Sequence, residues 1–523
     1  VTINTYTYQE ALRSSEEYFS NELSARAFVD KYALRNQDNE LVENSPVQMH
    51  ERIAKELARI EQAKFKKPLS YQEILDYLKD FAAIIPQGSP MYGIGNVYKY
   101  VSLSNCFVLE SPYDSYGGIC KTDQEIANIC KRRGGIGWDI SNLRPAGTST
   151  NNAAITTTGI ESWMQRFSNT VREVGQNGRR AASMQSISVH HPEISKFITI
   201  KEDTTKVTGS NISVRLTDEF LNALGDKKDY QQRWPVDSDN PSIINYVSAQ
   251  KTWDEIIHAA WLMAEPGLLF WDNIIRESPA DCYENFRSIS VNPCAELVLC
   301  ANDSCRLLAI NLFHAVNNSY TKEASYDYGK LYKTAYVAQR IMDDIVDLEI
   351  EAVDKIIKKI KRDPEPLNVK RQELELWLDI KDKAQNGRRT GTGITALGDT
   401  LAALNVKYGG TTSIDITNQI YKTIKLACYK CSVDMAKELG PFPEWDYKLE
   451  KDNDFLSRIA EENLTLYKNM RKCGRRNIAL LTTAPTGTVS MMASMTVGNT
   501  KVHGTTSGIE PLFASSYIRR KKG

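Results

Sequence analysis

The sequence predicts an α/β fold, either a barrel or a wound sheet, behind an N-terminal helical region. Up to about residue 95, apolar residues recur at helical spacing between charges, as in "PVQMHERIAKELARIEQAKF" and "YQEILDYLKDFAAII". From about residue 97, short apolar runs, glycine-rich turns and long helical patterns alternate, the texture of strands crossed by helices. The 523 residues suffice for a large core and more than one domain. The expected division is a helical domain over 1–95 and an α/β domain over 96–523.

Taken in order, "VYKYVSLSNCFVL" (97–109) reads as a strand and "SYGGICKTDQEIANICKR" (115–132) as a helix. "GGIGWDISNLRP" (134–145) follows as turn and strand. "WDEIIHAAWLMAE" (253–265) is a helix with Thr252 as its expected N-cap, and "LLFWDNII" (268–275) opens as a strand. "YVAQRIMDDIVDLEIEAVDKIIKKIK" (336–361) is a long helix with Val337, Ile341, Ile345, Leu348, Ala352 and Ile356 on one face. No internal repeat or low-complexity linker interrupts the chain.

Charge excludes one class of function. Lys and Arg total 65, matched by 65 Asp and Glu, so no basic excess points to nucleic acid. "KKIKR" (358–362) reads as a helix end and "RRKK" (519–522) as a surface segment. The polar opening "VTINTYTYQEALRSSEEYF" does not read as a signal peptide. No apolar run approaches the roughly 20 residues of a membrane span. A cytoplasmic protein is expected, whose 10 cysteines stay reduced.

Several motifs have ordinary explanations. Cys428 and Cys431 form a CxxC, but they fall on one apolar helix face with Ile420, Ile424 and Met435, which suits small core residues. "GTGITALGD" (391–399) and "GGIGWD" (134–139) lack the GxGxxG spacing of a dinucleotide site, and tight turns account for them better. His50, His258 and His314 have no partners at metal-ligand spacing, and no metal site is expected. "TAPTGTVSMMAS" (483–494) is more specific. Thr486, Gly487, Thr488 and Ser490 make a hydroxyl-rich turn before a possible helix, which suits either a phosphate cradle or a simple cap.

The most informative stretch is "SVNPCAELVLCANDSCRLLAINLF" (290–313), with Cys294, Cys300 and Cys305. Disulfide staples are disfavoured by the expected compartment, and zinc by the absence of a second ligand pair. Asn292, Cys294 and Glu296 lie two apart, so on extended chain they share a face. Three buried cysteines would be the plain reading. An ionisable Glu296 amid apolar residues is costly unless it has partners or work.

These residues resemble a known family. "NPCAEL" followed by "DSCRLLAINL" is similar to the cysteine segment of ribonucleotide reductase catalytic subunits. "SLSNCFVLESPYDS", "GGIGWDISNLRPAG", "GQNGRRAAS", "HHPEISKFI", "GTGITALGD", "APTGTVS" and "SGIEPLFA" extend the resemblance over nearly all of residues 10 to 520. It implies a ten-stranded α/β barrel with a cysteine loop threaded through its centre. Cys294 would carry a thiyl radical, Glu296 would act on the 3′ hydroxyl, and Asn292 would hydrogen-bond the ribose. Cys106 and Cys305 would be the reducing dithiol, and Cys300 matches no role. Ser89, Asn105, Thr486, Gly487, Thr488 and Ser490 match positions that hold the ribonucleotide, expected as a diphosphate.

Asp114 and Arg144 match positions near a deoxynucleotide or ATP effector. "GQNGRRAAS", with Gln176, Arg179 and Arg180, resembles the loop that links effector to substrate. A homodimer and a thioredoxin-like or glutaredoxin-like reductant are implied. The spacing from Cys294 to Cys305 and the form of "APTGTVS" resemble adenosylcobalamin-dependent (class II) members. The alternative is a class I subunit that receives its radical from a separate metal-containing small subunit. A non-catalytic nucleotide-binding fragment or regulatory paralogue is the alternative from another class. The family's ATP cone is not visible, its C-terminal part is expected to be missing, and "TVGNTKVHG" (496–504) looks like an insertion.

Overall fold

Helix starts in the N-terminal segment are written into the sequence. Thr7 caps helix Tyr8–Phe19 and Ser70 caps helix Tyr71–Leu78, each in a reciprocal capping box with the Glu three residues on. Pro46 opens helix Pro46–Lys64, where its missing N–H leaves no bond unmade. That helix buries Met49, Ile53, Leu57 and Ile60 at helical spacing. The computed structural model describes residues 4–175 and 181–512.

Two sheets frame the rest. The first strand, β1 (Ile84–Pro86), lies inside the segment expected to be helical. Then come β2 (Cys106–Val108), β3 (Gly135–Asp139), β4 (Ser183–Ser188), β5 (Asn211–Leu216) and β6 (Gly267–Phe270), each parallel to the one before it from β3 onward. Parallel neighbours need crossovers, which helices such as Tyr116–Cys130 and Ile160–Glu173 supply. A short hairpin, β7 (Ser290–Val291) and β8 (Val298–Leu299), precedes β9 (Ser304–Cys305). β9 joins the edge of the six-stranded sheet, antiparallel to β2. One residue later the chain changes sheets. β10 (Leu307–Asn311) pairs antiparallel with β1 and parallel with β11 (Gly391–Thr395). Among the described residues the two sheets hold six and three strands, with Leu481 bridging in parallel to Thr392 of β11.

Strand alternation sorts the faces. In β3, Ile136 and Trp138 pack outward with Phe107 among the crossover helices. Gly135 and Gly137 face the β7–β8 hairpin. A Cβ on Gly137 would stand 1.7 Å from the Val291 carbonyl oxygen, so only glycine lets the hairpin lie this close. Side chains of the sheet fasten the hairpin from below. Ser186 Oγ lies 2.8 Å from Ser290 Oγ, Arg215 donates to the Ile289 carbonyl at 3.1 Å, and Asn211 donates to the Pro293 carbonyl at 2.8 Å.

One helix, Tyr328–Arg362, backs both sheets. Its 35 residues span about 52 Å at 1.5 Å per residue. Its first half packs Ile341, Ile345 and Leu348 into the core shared with the N-terminal helices. Its last turns place Val353, Ile356 and Ile360 in the core behind the six-stranded sheet. "KKIKR" ends it as expected.

Four local readings change. The strand expected over 97–109 is confined to Cys106–Val108, because Asn96 folds the preceding residues into a loop by accepting from Tyr98 and Lys99 N–H. The helix expected to start at Thr252 begins at Ala249, capped by Ser248, and Thr252 is buried inside it. "GTGITALGD" is a strand followed by helix Leu397–Ala403, joined through Ala396 at φ 66°, and "GGIGWD" is mostly β3. "TVGNTKVHG" forms most of a hairpin, Ser494–Val497 with Thr500–His503. Cys428 and Cys431 are core residues of helix Thr411–Leu439, as their spacing suggested.

Gly137→Ala tests the threading. The added methyl cannot coexist with the Val291 carbonyl, so the variant should lose about 3 kcal/mol or more in denaturant unfolding. The 289–299 segment should also become protease-sensitive. An alanine variant as stable as the parent would refute this packing.

A candidate active site at the junction of the two sheets

The tip of the hairpin is a tight turn. Asn292 N–H donates to the Leu297 carbonyl at 3.2 Å, and Ala295 N–H to the Asn292 carbonyl at 2.9 Å. Ala295 adopts φ 61°, a left-handed conformation that non-glycine residues rarely take. This turn leaves Cys294 exposed and folds Glu296 back beneath it.

Asn292 is fully buried and organises the turn. Its Oδ1 accepts from Leu297 N–H at 3.0 Å. Its Nδ2 donates to Glu296 Oε2 at 2.6 Å and to Cys106 Sγ at 3.0 Å. The Cys106 thiol in turn lies 3.9 Å from Glu296 Oε1 as a donor. Burial pushes the Glu296 carboxyl above its ordinary pKa, while the Asn292 and Cys106 hydrogen bonds pull the other way. Burial, then the nearby Glu296 carboxylate, holds Cys106 well above the usual thiol range.

Cys305 stands directly opposite Cys106 in the β2–β9 pairing. Opposed residues of an antiparallel pair have Cα atoms about 4.5–5.5 Å apart. That separation falls inside the roughly 4.4–6.8 Å that a disulfide spans. Both are free thiols in this structure. Burial pushes the Cys305 thiol up to about 12, with Arg306 and Arg389 opposing the rise. Gly391 makes room for it, since a Cβ there would lie 2.7 Å from Cys305 Sγ. Cys300 belongs to another cluster, with Tyr283, Phe286 and Phe442, and takes a packing role.

Asn292, Cys294, Glu296 and Cys106 line one cavity of about 250 Å³, which Gln87 and Asn105 also border. The turn Thr486–Thr488 lines it as well. Thr486 sits at φ 54°, and nothing lies within 4 Å of a Cβ built on Gly487. The helix expected after this turn is a three-residue 3-10 turn, Val489–Met491, so any anion there relies on N–H groups and hydroxyls rather than a helix dipole. Ser490 does not line the cavity. Its hydroxyl donates to the Gly487 carbonyl at 2.8 Å and braces the turn. Ser89 lies just behind Gly88 on the wall, its Oγ buried without a hydrogen-bond partner among the described residues.

Lys31 and Arg133 also line the cavity, and neither belongs to a motif read from the sequence. A larger cavity, about 620 Å³ beside β11, balances Asp415 and Glu462 against Lys422 and Lys425 and contains no thiol.

Asp114 and Arg144 meet elsewhere, in an ion pair of 2.6 Å on the wall of a cavity of about 310 Å³. Tyr116 and Trp163 line it edge to face, 5.9 Å between ring centroids. Gln176, Arg179 and Arg180 lie outside the described residues.

The family model described as ribonucleotide reductase, barrel domain, matches residues 104–523, and the one described as ribonucleotide reductase, all-alpha domain, matches residues 18–91. The chain belongs to the ribonucleotide reductase family. It is 31% identical over 455 residues to a vitamin B12-dependent ribonucleoside-diphosphate reductase of Thermoplasma acidophilum, covering 86% of this chain and 50% of that protein. A Mycobacterium tuberculosis protein of the same name is 30% identical over 419 residues, 80% of this chain and 50% of the relative (strain H37Rv). The ribonucleoside-diphosphate reductase large chain of Neurospora crassa is 24% identical over 459 residues, 80% of this chain and 45% of that protein. The chain thus spans about half the length of the curated relatives it matches.

Thiol chemistry offers a direct test of the geometry. A thiol at pKa about 12 is roughly 1,000-fold less ionised at pH 8 than one of ordinary pKa. Iodoacetamide should therefore alkylate Cys294 early and Cys106 and Cys305 last, and mild oxidation should link Cys106 to Cys305. Peptide mass spectrometry reads both. A Cys294–Cys305 link in place of Cys106–Cys305 would contradict the register.

Proposed function

We propose that this chain carries the catalytic centre of a ribonucleotide reductase that converts ribonucleoside diphosphates to 2′-deoxyribonucleotides. The observation that carries the reading is the direct opposition of Cys106 and Cys305, with Cys106, the Asn292–Glu296 pair and the exposed Cys294 lining one cavity. No other cavity described above combines one thiol of an opposed pair, a perturbed acid and a further thiol.

In this mechanism a Cys294 thiyl removes the 3′ hydrogen atom of the ribose and later returns it. Glu296 takes the 3′ hydroxyl proton: its hydrogen bond from Asn292 helps keep it ionised beforehand, and burial strengthens it as a base. The 2′ hydroxyl leaves as water. Cys106 and Cys305 together supply two hydrogens and become a disulfide, so the dithiol is oxidised by two electrons as the nucleotide is reduced by two. Their high pKa keeps both in the hydrogen-bearing form at neutral pH. Lys31 and Arg133, in the same cavity as the Thr486–Thr488 turn, offset the diphosphate's charge.

The names of the Thermoplasma and Mycobacterium relatives support adenosylcobalamin as cofactor. The residues present fit it in one respect. Cys294 and Ala295 are the exposed tip of the hairpin, open to a large group docked across the cavity mouth. When bound, the cofactor supplies the primary radical chemistry that activates Cys294.

Deoxynucleotide or ATP effector binding is assigned to the Asp114–Arg144 cavity, with its two aromatic rings for a base. A homodimer and a thioredoxin-like or glutaredoxin-like reductant complete the reading. A cytoplasmic setting belongs to the same reading. No described helix is long and apolar enough to cross a membrane.

The test is a reductase assay on the full-length protein with dithiothreitol and a ribonucleoside diphosphate, with and without adenosylcobalamin. Cobalamin-dependent deoxynucleotide is the expected product, and Cys294→Ser should lower it about 1,000-fold or more. Turnover in that variant would remove the radical assignment. Because the Glu296 pKa is raised and the base must be ionised, kcat/KM should climb with pH through a value above the ordinary carboxylate range. Glu296→Gln should abolish that limb and cost about 100-fold in rate.

A further inference from the structure

Gln87 lines the catalytic cavity, and no step of the mechanism uses it. Its backbone is fully employed. Its N–H donates to the Leu307 carbonyl at 3.0 Å, and its carbonyl accepts from Met91 N–H at 3.1 Å at the start of helix Gly88–Gly93. Its side chain makes no capping hydrogen bond to that helix. The residue is 7% exposed, and its Nε2 is buried without a hydrogen-bond partner among the described residues. A buried amide with no partner is unfavourable, and methionine or leucine would fill the same space without that cost. Packing therefore does not account for a glutamine here. A ligand that completes its hydrogen bonds does.

The ladder between β1 and β10 fixes where the amide stands. Pro86 is opposite Leu308, and the Gln87 N–H bond to the Leu307 carbonyl carries the same register one step further. Opposed residues of an antiparallel pair share a face, with Cβ atoms about 4.5–5.5 Å apart. Leu307 packs with Cys106, Cys305 and Ala484. Its N–H donates at 3.3 Å to Asn105 Oδ1, the neighbour of Cys106 in the chain. Gln87 is thereby held on the flank of the cavity that carries the opposed thiols.

In the mechanism, those thiols serve the 2′ carbon and Glu296 serves the 3′ hydroxyl. We propose that Gln87 hydrogen-bonds the 2′ hydroxyl of the bound ribonucleotide, and so distinguishes it from a 2′-deoxynucleotide. This contact rests on the function proposed above. An amide both donates to that oxygen and accepts its hydrogen, and it exchanges no proton in doing so. Gln87 therefore orients the departing hydroxyl, while the proton that completes the water still comes from the dithiol. A site that pairs a buried polar group with a substrate hydroxyl rejects the analogue lacking it, because that group is then left unpaired. The deoxynucleotide product lacks this hydroxyl, so the same contact would speed its release.

Cys294 reports occupancy of this cavity without turnover. Its half-protection from iodoacetamide is measured in the full-length protein, with cytidine diphosphate and 2′-deoxycytidine diphosphate as probes. The ribonucleotide should protect at about tenfold lower concentration in the parent. In Gln87→Met that preference should fall to about twofold or less, through weaker ribonucleotide binding alone. The variant's melting temperature should hold or rise, because the lost amide had no partner, whereas a structural role would lower it. Gln87→Leu repeats the comparison with a second apolar side chain. Protection by neither nucleotide at about 1 mM would overturn the proposed function, and this contact with it. No ribonucleotide preference in the parent, or a preference that survives in either folded variant, overturns the role of Gln87 and leaves the function standing. Loss of folding in both variants would show a structural role and overturn it equally.

Discussion

The site depends on a two-residue ladder, Ser304–Cys305 against Cys106–Phe107. It places two thiols opposite each other, and it ends one residue before the chain leaves one sheet for the other. That residue, Arg306, is fully buried and donates to the carbonyls of Ser304 and Arg389. Glu349, also fully buried, receives Ser102 Oγ, Ser104 Oγ and the Leu103 N–H on the approach to Cys106. Arg306 opposes the rise that burial gives the Glu349 carboxyl. Buried charges of this kind add little net stability, but removing one partner costs about 3–5 kcal/mol. Their effect is to permit one register and penalise others.

The long helix Tyr328–Arg362 carries that logic across the molecule. Glu349 steadies the start of β2, Gln339 bonds Thr390 and Thr392 at the start of β11, and Asp343 receives Arg388 and Asn477. Lys64, from the N-terminal helices, enters the same acidic cluster at 2.6 Å from Asp343. The N-terminal region is therefore fastened to the element that holds both sheets. This brings Lys31 to a cavity whose other walls include Asn292, Glu296 and Thr486, hundreds of residues downstream.

What could be read from the sequence was local. Asn292, Cys294 and Glu296 sit within five residues, so their shared chemistry is visible as a pattern. The alternation of strands and helices was equally plain. The pairing of Cys106 with Cys305 came only from the family resemblance, because nothing local reports a register between strands 200 residues apart. Lys31 and Arg133 escaped for the same reason. Arg133 reads as the end of a basic helix, and its role depends on what faces it. Thr252 looked like a cap because a hydroxyl stood before the apolar run, yet Ser248 accepts from Lys251 N–H four residues earlier. "GTGITALGD" looked like turns because glycines usually make them. Here they clear space for Cys305 and for the Thr482 carbonyl.

Those inward glycines have a consequence for how such a catalyst diversifies. Where β3 faces the cavity it presents bare backbone at Gly135, so there is no side chain there to exchange for another shape. New preferences must instead be drawn at the cavity's borders, in the Thr486–Thr488 segment and around Gln87 and Gly88. The strands can then be inherited almost unchanged while their borders are rewritten. Divergent descendants would keep the chemistry and differ in what they admit.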